Sequence, residues 1–433
     1  MEQTISFVAT GDSFITRRLP STTSESFVEL TNLIKSADAR LTNLEITTHN
    51  FEGYPGQASG GTWAITSPLA LRDIKAYGFN LLPWANNHTL DYLYGGLEAT
   101  ERYINEYEFV HAGVGKNLAD ASAPRYLETP AGRVALIAAT SSFHETWIAG
   151  DQRNDMSGRP GINPLRHKSV HKISKEKLET LKEIADTVDI NAVTKMSIKE
   201  GFVVEKKDGK FEFGQYVFAE GSPEGKETSP DPRDMKRILK SISEAKRQAD
   251  YVVVSIHAHE MQGEDKSVPA EFLKTFAREC IDGGADSIVG HGPHVLRGIE
   301  IYNGRPIFYS LGNFIFQNET VTHLPADFYE KYGLGNDHTV ADGLDTRTEN
   351  NTKGFGVNEK IWDSIVPVWK MQGDKLTEVK LYPIELGYKQ PRYKIGWPTL
   401  VKTDRILKDL QELSEPFGTK IDIKDGVGTI VLD

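Results

Sequence analysis

Cysteine is almost missing from this chain: Cys280 stands alone among 433 residues, so no disulfide can form within it. It falls in the apolar pattern of residues 272–280, where a buried, inert thiol is expected. Long apolar runs are missing too, and none approaches the ~18 residues of a membrane span. The opening residues lack a basic stretch followed by an apolar one, so they do not read as a secretory signal. As written the chain reads as cytoplasmic, unless a leader preceded it. Basic excess is the third absence. With 61 acidic against 50 basic residues the net charge is −11, which argues against a nucleic-acid partner, because phosphate neutralisation needs a basic surface.

What is present is an ordinary globular composition, 39% hydrophobic and 26% charged, long enough for one elaborated domain or two. Over the first 140 residues, short β-rich runs alternate with helical ones, the pattern of an α/β domain. Strands are expected at 4–10, 39–45, 80–84 and 134–139, and helices at 27–37, 68–77 and 95–107. Residues 141–230 are polar and rich in Gly and Pro and read as an insertion, with a helix at 174–187 and a hairpin at Asp208-Gly209. The α/β pattern resumes with helices at 232–248 and 270–283, strands at 251–256 and 287–289, and an Asn303-Gly304 hairpin. Residues 318–358 show little regular pattern and read as a lid or a disordered loop. The tail, 359–433, reads as strands, a helix at 399–413 and a final hairpin at Asp425-Gly426 that complete the domain.

Polar residues gather where the strands end. Gly11-Asp12, Asn43-Leu44-Glu45, Asn86-Asn87-His88, His257-Ala258-His259-Glu260 and Gly290-His291-Gly292-Pro293-His294 each follow a β-rich run. Open α/β sheets bind ligands at the carboxyl ends of their strands, so five such ends can share one crevice. Imidazole with carboxylate and amide oxygen suits zinc, manganese or iron, one ion or two, and the lack of cysteine removes thiolate ligation. Any one of these segments alone is ordinary turn chemistry; their joint occurrence, always after a strand, is not.

The same segments, with Asn-Asn-His-Thr-Leu-Asp-Tyr-Leu-Tyr-Gly-Gly-Leu, His-Ala-Gly-Val-Gly, Gly-His-Gly-Pro-His-Val-Leu-Arg-Gly-Ile-Glu and Arg-Pro-Ile-Phe-Tyr-Ser-Leu-Gly-Asn-Phe-Ile-Phe, resemble the capsule-synthesis CapA (poly-γ-glutamate synthesis) family. That family is similar to the calcineurin-like metallophosphoesterases. The motif order runs from residue 5 to about 317, so residues 1–317 are taken as the catalytic domain. The resemblance implies a four-layer α/β/β/α sandwich with an insertion and a C-terminal extension. It implies metal ligation by Asp12, Glu45 (as the bridging carboxylate), Asn87, His88, His257, His291 and His294. His259, two residues after His257 and on the same side of the strand end, is a further candidate ligand or else contacts substrate or an inner ligand. Where the wider superfamily has a histidine two residues after the first aspartate, this chain has Phe14, so one metal position lacks a ligand.

Smaller expectations surround this set. Asp91 orients His88 or caps a helix; Glu260 is a general base or an outer-shell group. Arg159, Arg166 and Arg297 are candidates to hold a substrate carboxylate, Arg297 alternatively in a structural ion pair. Hydrolysis of an amide or ester in a peptide or γ-glutamyl chain is the leading function. Epimerisation of a peptide Cα, with Asp12 and His294 as base and acid on opposite faces, is the alternative. A third is a non-catalytic component of capsule polymer synthesis or export. The oligomeric state is not legible.

Overall fold

The computed structural model describes residues 3–206 and 208–432. Its centre is two facing sheets. The larger runs in the order Ile421–Lys424, Val427–Ile430, Lys375–Glu385, Asp363–Gln372, Thr4–Phe14, Ala39–Leu44, Leu81–Pro83 and Val110–Ala112, with Asn313–Phe316 also paired to Thr4–Phe14. The smaller runs Ile299–Tyr302, Arg305–Phe308, Ser287–His291, Tyr251–His257, Gly132–Thr140 and Arg125–Thr129.

Strand periodicity explains the layering. Side chains alternate across a strand, so Ile5, Phe7 and Ala9 of one sheet meet Leu136, Val253, Val289 and Phe308 of the other in a shared core. Val8 and Leu82 face outward onto Phe27, Leu30, Ile34, Leu71 and Ile74 of the helices Glu25–Lys35 and Leu69–Tyr77. On the far side, Ile137, Val252 and Val254 pack on Ile238, Ile242, Phe272 and Phe276 of Pro232–Lys246 and Glu271–Asp282. The result is the four-layer α/β/β/α sandwich that the resemblance implies. Each of these large apolar side chains, fully buried, contributes ~1.5–3 kcal/mol. Among the described residues no helix is long and apolar enough to cross a membrane.

Residues 167–230 form a separate small sheet in the order Phe211–Phe213, Tyr216–Glu220, His167–Ile173 and Gly225–Pro230, with helices Lys175–Thr187 and Ala192–Lys199. It joins the sandwich where His167 stacks on Phe272, ring centroids 4.4 Å apart. The expected hairpin at Asp208-Gly209 is displaced: the chain turns at Gly214 (φ +58°), between Phe211–Phe213 and Tyr216–Glu220. By contrast Asn303 and Gly304 (φ +49° and +70°) turn a tight hairpin at the expected place. The expected helix at 399–413 begins later, as Asp404–Ser414, because the Thr403 hydroxyl accepts from the Arg405 amide and caps it there. Its Ile406, Leu407 and Leu410 complete the inter-sheet core.

The polar stretch 318–358 contains the helices Ala326–Lys331 and Val340–Thr348, the second opened by a capping box between Thr339 and Asp342. Helices this short carry too few turns to show a period in sequence.

Candidate metal centre

Five strand ends converge, two of them in register. His257 and His291 end adjacent parallel strands and are direct pairing partners. From the larger sheet comes Thr4–Phe14, whose pairing with Ala39–Leu44 shifts register between Ala9 and Asp12. Such a bulge re-aims the side chains that follow it. A glycine is required there: a Cβ on Gly11 would lie 2.1 Å from the carbonyl oxygen of Gly312. Asp12 emerges from this bulge fully buried.

The direct contacts define the cluster. Oδ1 of Asp12 accepts from the Asn43 amide at 2.7 Å, and its Oδ2 accepts from the Gly292 N–H at 3.0 Å. His291 Nδ1 lies 3.5 Å and His257 Nδ1 3.8 Å from Asp12 Oδ1. Glu45 Oε1 lies 3.6 Å from His257 Nε2 and 3.8 Å from His294 Nε2. His259 Nε2 is 3.2 Å from His257 Nε2. Two triads each bring their donor atoms within 4.8 Å of one another: Glu45, His257 and His259, and Asp12, Glu45 and His294. Glu45 belongs to both.

Outer contacts fix the rings. Nδ1 of His88 is 2.7 Å from Asp91 Oδ2, and Asp91 also accepts from the amides of Gly60 and Ala64. The carboxylate therefore holds the Nδ1–H tautomer and leaves Nε2 with its lone pair. Asp91 does not cap the helix that follows; Tyr92 occupies that position before Leu93–Glu106. Asn313 spends its amide N–H on the Ile361 carbonyl at 2.9 Å, so its Oδ1 accepts from His294 Nδ1, also at 2.9 Å. Asn87 donates to the Gly60 carbonyl at 3.1 Å, which leaves its Oδ1 without a partner. Glu260 accepts from the hydroxyls of Ser141 and Ser142, and Ser142 in turn accepts from the His259 N–H at 2.8 Å. His294 itself sits at φ +60°, a left-handed conformation that costs a non-glycine residue about 1–3 kcal/mol and gathers at functional sites.

Burial dominates the electrostatics. It pushes the Asp12 carboxyl up to about 7 against the lowering pull of Asn43 and Gly292. It raises Glu45 well above the usual carboxylate range, with the charges of Asp12 and Asp91 adding to the shift. It drives His291 and His294 down to about 3, and His257 and His259 well below the ordinary imidazole value. The protein alone thus favours neutral groups here; a bound cation would keep the imidazoles neutral as ligands and invert the preference of the carboxyls alone.

Besides a pocket between His259 and His167, two cavities reach the cluster. One, about 250 Å³, has His88 and His294 in its wall with Phe14, Phe316, Phe355 and Arg347. The other, about 330 Å³ and more open, is lined by Asn87, His259, His144 and Trp147. Phe14 meets the His88 ring edge-on at 5.2 Å, so this side of the cluster is an apolar wall.

Several expectations require correction. Arg297 is almost fully buried, and its guanidinium donates to the carbonyls of Lys266 and Glu260 at 2.9 Å each, and to Ala258 and His259 at longer range. It is neither a substrate clamp nor an ion pair: it ties down the segment that carries His257 and His259. Arg166 forms a fork with Asp234 at 2.7 and 2.8 Å, which uses up the geometry a substrate carboxylate would need. Arg159 donates to the Ile148 carbonyl at 3.1 Å and lines neither cavity. Asp12 and His294 are neighbours in the cluster: His294 Nδ1 lies 3.7 Å from Asp12 Oδ2, and its Nε2 lies beside Glu45.

Four contributors escaped the sequence reading as functional residues. Asn43 and Asn313 lie inside quoted motifs, where their amides pass for turn chemistry. Arg347 and Glu319 lie in the patternless stretch after residue 317, where no motif signals them.

A four-layer sandwich with buried histidines and carboxylates gathered at its strand ends is the frame of the candidate site. The model of the bacterial capsule synthesis protein PGA_cap family matches residues 6–318, and the chain belongs to that family. Among its relatives is the uncharacterized protein y4sH of Sinorhizobium fredii, 37% identical over 98% of this chain and 92% of the relative. The capsule biosynthesis protein CapA of Bacillus anthracis is 27% identical over 57% of this chain and 42% of its own. The PGA biosynthesis protein CapA of Bacillus subtilis is 51% identical over a shorter stretch, 20% of this chain and 22% of its own.

Proposed function

We propose that this cluster holds one or two divalent cations, zinc, manganese or iron, and hydrolyses an amide or ester bond in a peptide or γ-glutamyl chain. One observation carries the metal. Both carboxylate oxygens of Glu45, both ring nitrogens of His291 and Oδ1 of Asn87 are buried without a hydrogen-bond partner. An unsatisfied buried polar atom costs about 1–3 kcal/mol, and several together at one point demand a shared ligand. Lone pairs from oxygen and imidazole, with no thiolate, suit those metals. Glu45, Asn87, His88, His257, His259, His291 and Asp12 are the residues that would hold them, Glu45 being common to both triads, while His294 stands beside them with its Nε2 left for proton transfer.

Bound there, a divalent cation supplies Lewis acidity toward a carbonyl and lowers the pKa of water. The remaining work belongs to the chain. His294 lines the cavity and, with Nδ1–H committed to Asn313, offers Nε2 to take a proton from attacking water and return it to the leaving group. Asp12, both oxygens engaged, orients the neighbouring rings. The γ-glutamyl substrate class follows the motif resemblance to the poly-γ-glutamate synthesis family, and the hydrolytic chemistry follows the donor set.

Metal analysis of the purified protein beside His257→Ala and His291→Ala tests the centre, and chain-length analysis of γ-linked and α-linked oligomers tests the reaction. The wild type should carry metal and shorten a chain; both variants should lose metal and activity. Metal retained in both variants would show the centre to be wrongly drawn, and loaded protein that shortens no chain would refute hydrolysis.

A further inference from the structure

The cavity beside His88 and His294 has two kinds of wall. Its aromatic part lies against the histidines: Phe316 packs 4.7 Å and Phe355 5.6 Å from the His294 ring, and Phe14 5.2 Å from His88. Its polar part is gathered around Arg347, which donates to the Thr62 hydroxyl at 2.7 Å and to Glu319 Oε1 at 3.0 Å. Asn318 also donates to Glu319 Oε1, at 3.0 Å. The second oxygen, Glu319 Oε2, is buried without a hydrogen-bond partner; the Arg392 Nε beside it stands at 3.8 Å, beyond hydrogen-bond reach.

Opposite charges in one small cavity select by exclusion. A simple anion drawn to Arg347 would meet the Glu319 carboxylate. A simple cation drawn to Glu319 would meet Arg347. A group bearing both charges answers both, and its carboxylate takes the guanidinium N–H groups that remain. The aromatic stretch between this pair and the histidines accepts methylenes but leaves a polar backbone unsatisfied. The volume, about 250 Å³, is enough for a glutamyl-sized unit.

We propose that this cavity is a subsite for a free amino-acid head group, ammonium and carboxylate on one carbon, joined to the reacting carbonyl through a short methylene stem. The inference rests on the hydrolytic reading above and sharpens it: the site works at a chain end that carries a free amine, not at interior units. In the step, the C–N bond of the side-chain amide breaks. Water supplies hydroxide to the carbonyl carbon and a proton to the departing amine. Glu319 and Arg347 are specificity-determining residues, and the residues at the cluster remain common to any substrate.

The test is calorimetric binding to the metal-loaded protein of three neutral-amide probes: glutamine, N-acetylglutamine and 4-aminobutanamide. The first has both charges, the second lacks the ammonium, and the third lacks the carboxylate. Ammonia release is followed in parallel. Glutamine, in one or both enantiomers, should bind on the order of 10- to 100-fold more tightly than either analogue, the worth of one charged hydrogen bond. Glu319→Gln should narrow the gap to N-acetylglutamine, and Arg347→Met the gap to 4-aminobutanamide, with metal content unchanged in both. Equal binding of the three probes, no binding of glutamine, or discrimination that survives both variants would overturn the subsite. The expected discrimination without turnover of glutamine or any γ-linked oligomer would leave the subsite standing and refute hydrolysis.

Discussion

At the scale of single residues, the centre depends on side chains that themselves bind nothing. Asp91 is the plainest case, since its carboxylate takes the His88 Nδ1–H at 2.7 Å and two backbone N–H groups besides. Asp91→Asn puts an amide in its place. One of its two amide sites must then oppose a donor, and the ring loses the charge that strengthens its lone pair. Metal affinity should fall ~10- to 100-fold, the usual effect of removing such a partner, and thermal stability of the metal-free protein should change much less. Competition with a chelator measures the first, calorimetric melting the second. An affinity within a factor of two of wild type would remove Asp91 from this role. Arg297 teaches a related lesson: its near-complete burial among four carbonyl groups explains its place beside Gly290-His291-Gly292-Pro293-His294 without any substrate. Sequence shows a charge next to a motif, but not whether water can reach it.

At the scale of elements, the site is held by loops pressed close together. Gly60 makes such an approach directly against a ligand ring. A Cβ there would lie 2.5 Å from the Asn87 carbonyl oxygen and 2.6 and 2.7 Å from His88 Cε1 and Nδ1. Gly60→Ala therefore pushes on a ligand ring and on its bond to Asp91 together. Overpacking of this kind costs about 1–3 kcal/mol, and here the strain falls on the metal centre. The variant should fold, bind metal at least ~10-fold more weakly and regain part of its activity at raised metal concentration; wild-type affinity would show that the loop simply moves aside. Legibility follows the same division. The strands that deliver Asp12, Glu45, His88, His257 and His291 were readable because apolar period-two runs stop at polar residues. Arg347 and Glu319 were not, because Val340–Thr348 and its neighbours are short helices brought to the cavity by tertiary contacts. Asp208-Gly209 has good turn chemistry without flanking strands in register, so Gly214 turns the chain instead.

At the scale of the whole molecule, buried histidines set the acid limit of the fold. Burial lowers His49 and His111 to about 4 and His291 and His294 to about 3, from 6.5 in the unfolded chain. His257 and His259 move in the same direction. A histidine neutral in the fold and protonated once released gives the unfolded state more bound protons. Stability then rises with pH through this range. The contribution is fully present above 6.5 and is lost as pH falls from there toward 4 and 3. Asp12 opposes the trend, because its folded value near 7 means the fold binds the extra proton, and its contribution is lost as pH rises from about 4 to 7. Glu45 acts in the same sense as Asp12. Below 6.5 the lowered histidines, His167 among them, outnumber the raised carboxyls, which also include Asp91, Glu101 and Asp286. The metal-free protein should therefore lose denaturant resistance between pH 6.5 and 4.5, above the range where ordinary ion-paired carboxylates titrate. Once the histidines are neutral in both states, above 6.5, the raised Asp12 and Glu45 carboxyls turn the slope the other way. Bound cation removes the penalty on both carboxylates, so metal should stabilise more at pH 8 than at pH 5. Urea titrations at pH 5, 6, 7 and 8, with and without metal, decide the matter. A flat midpoint from 7 to 5 in the metal-free protein would mean that water or protons already reach these rings in the native state.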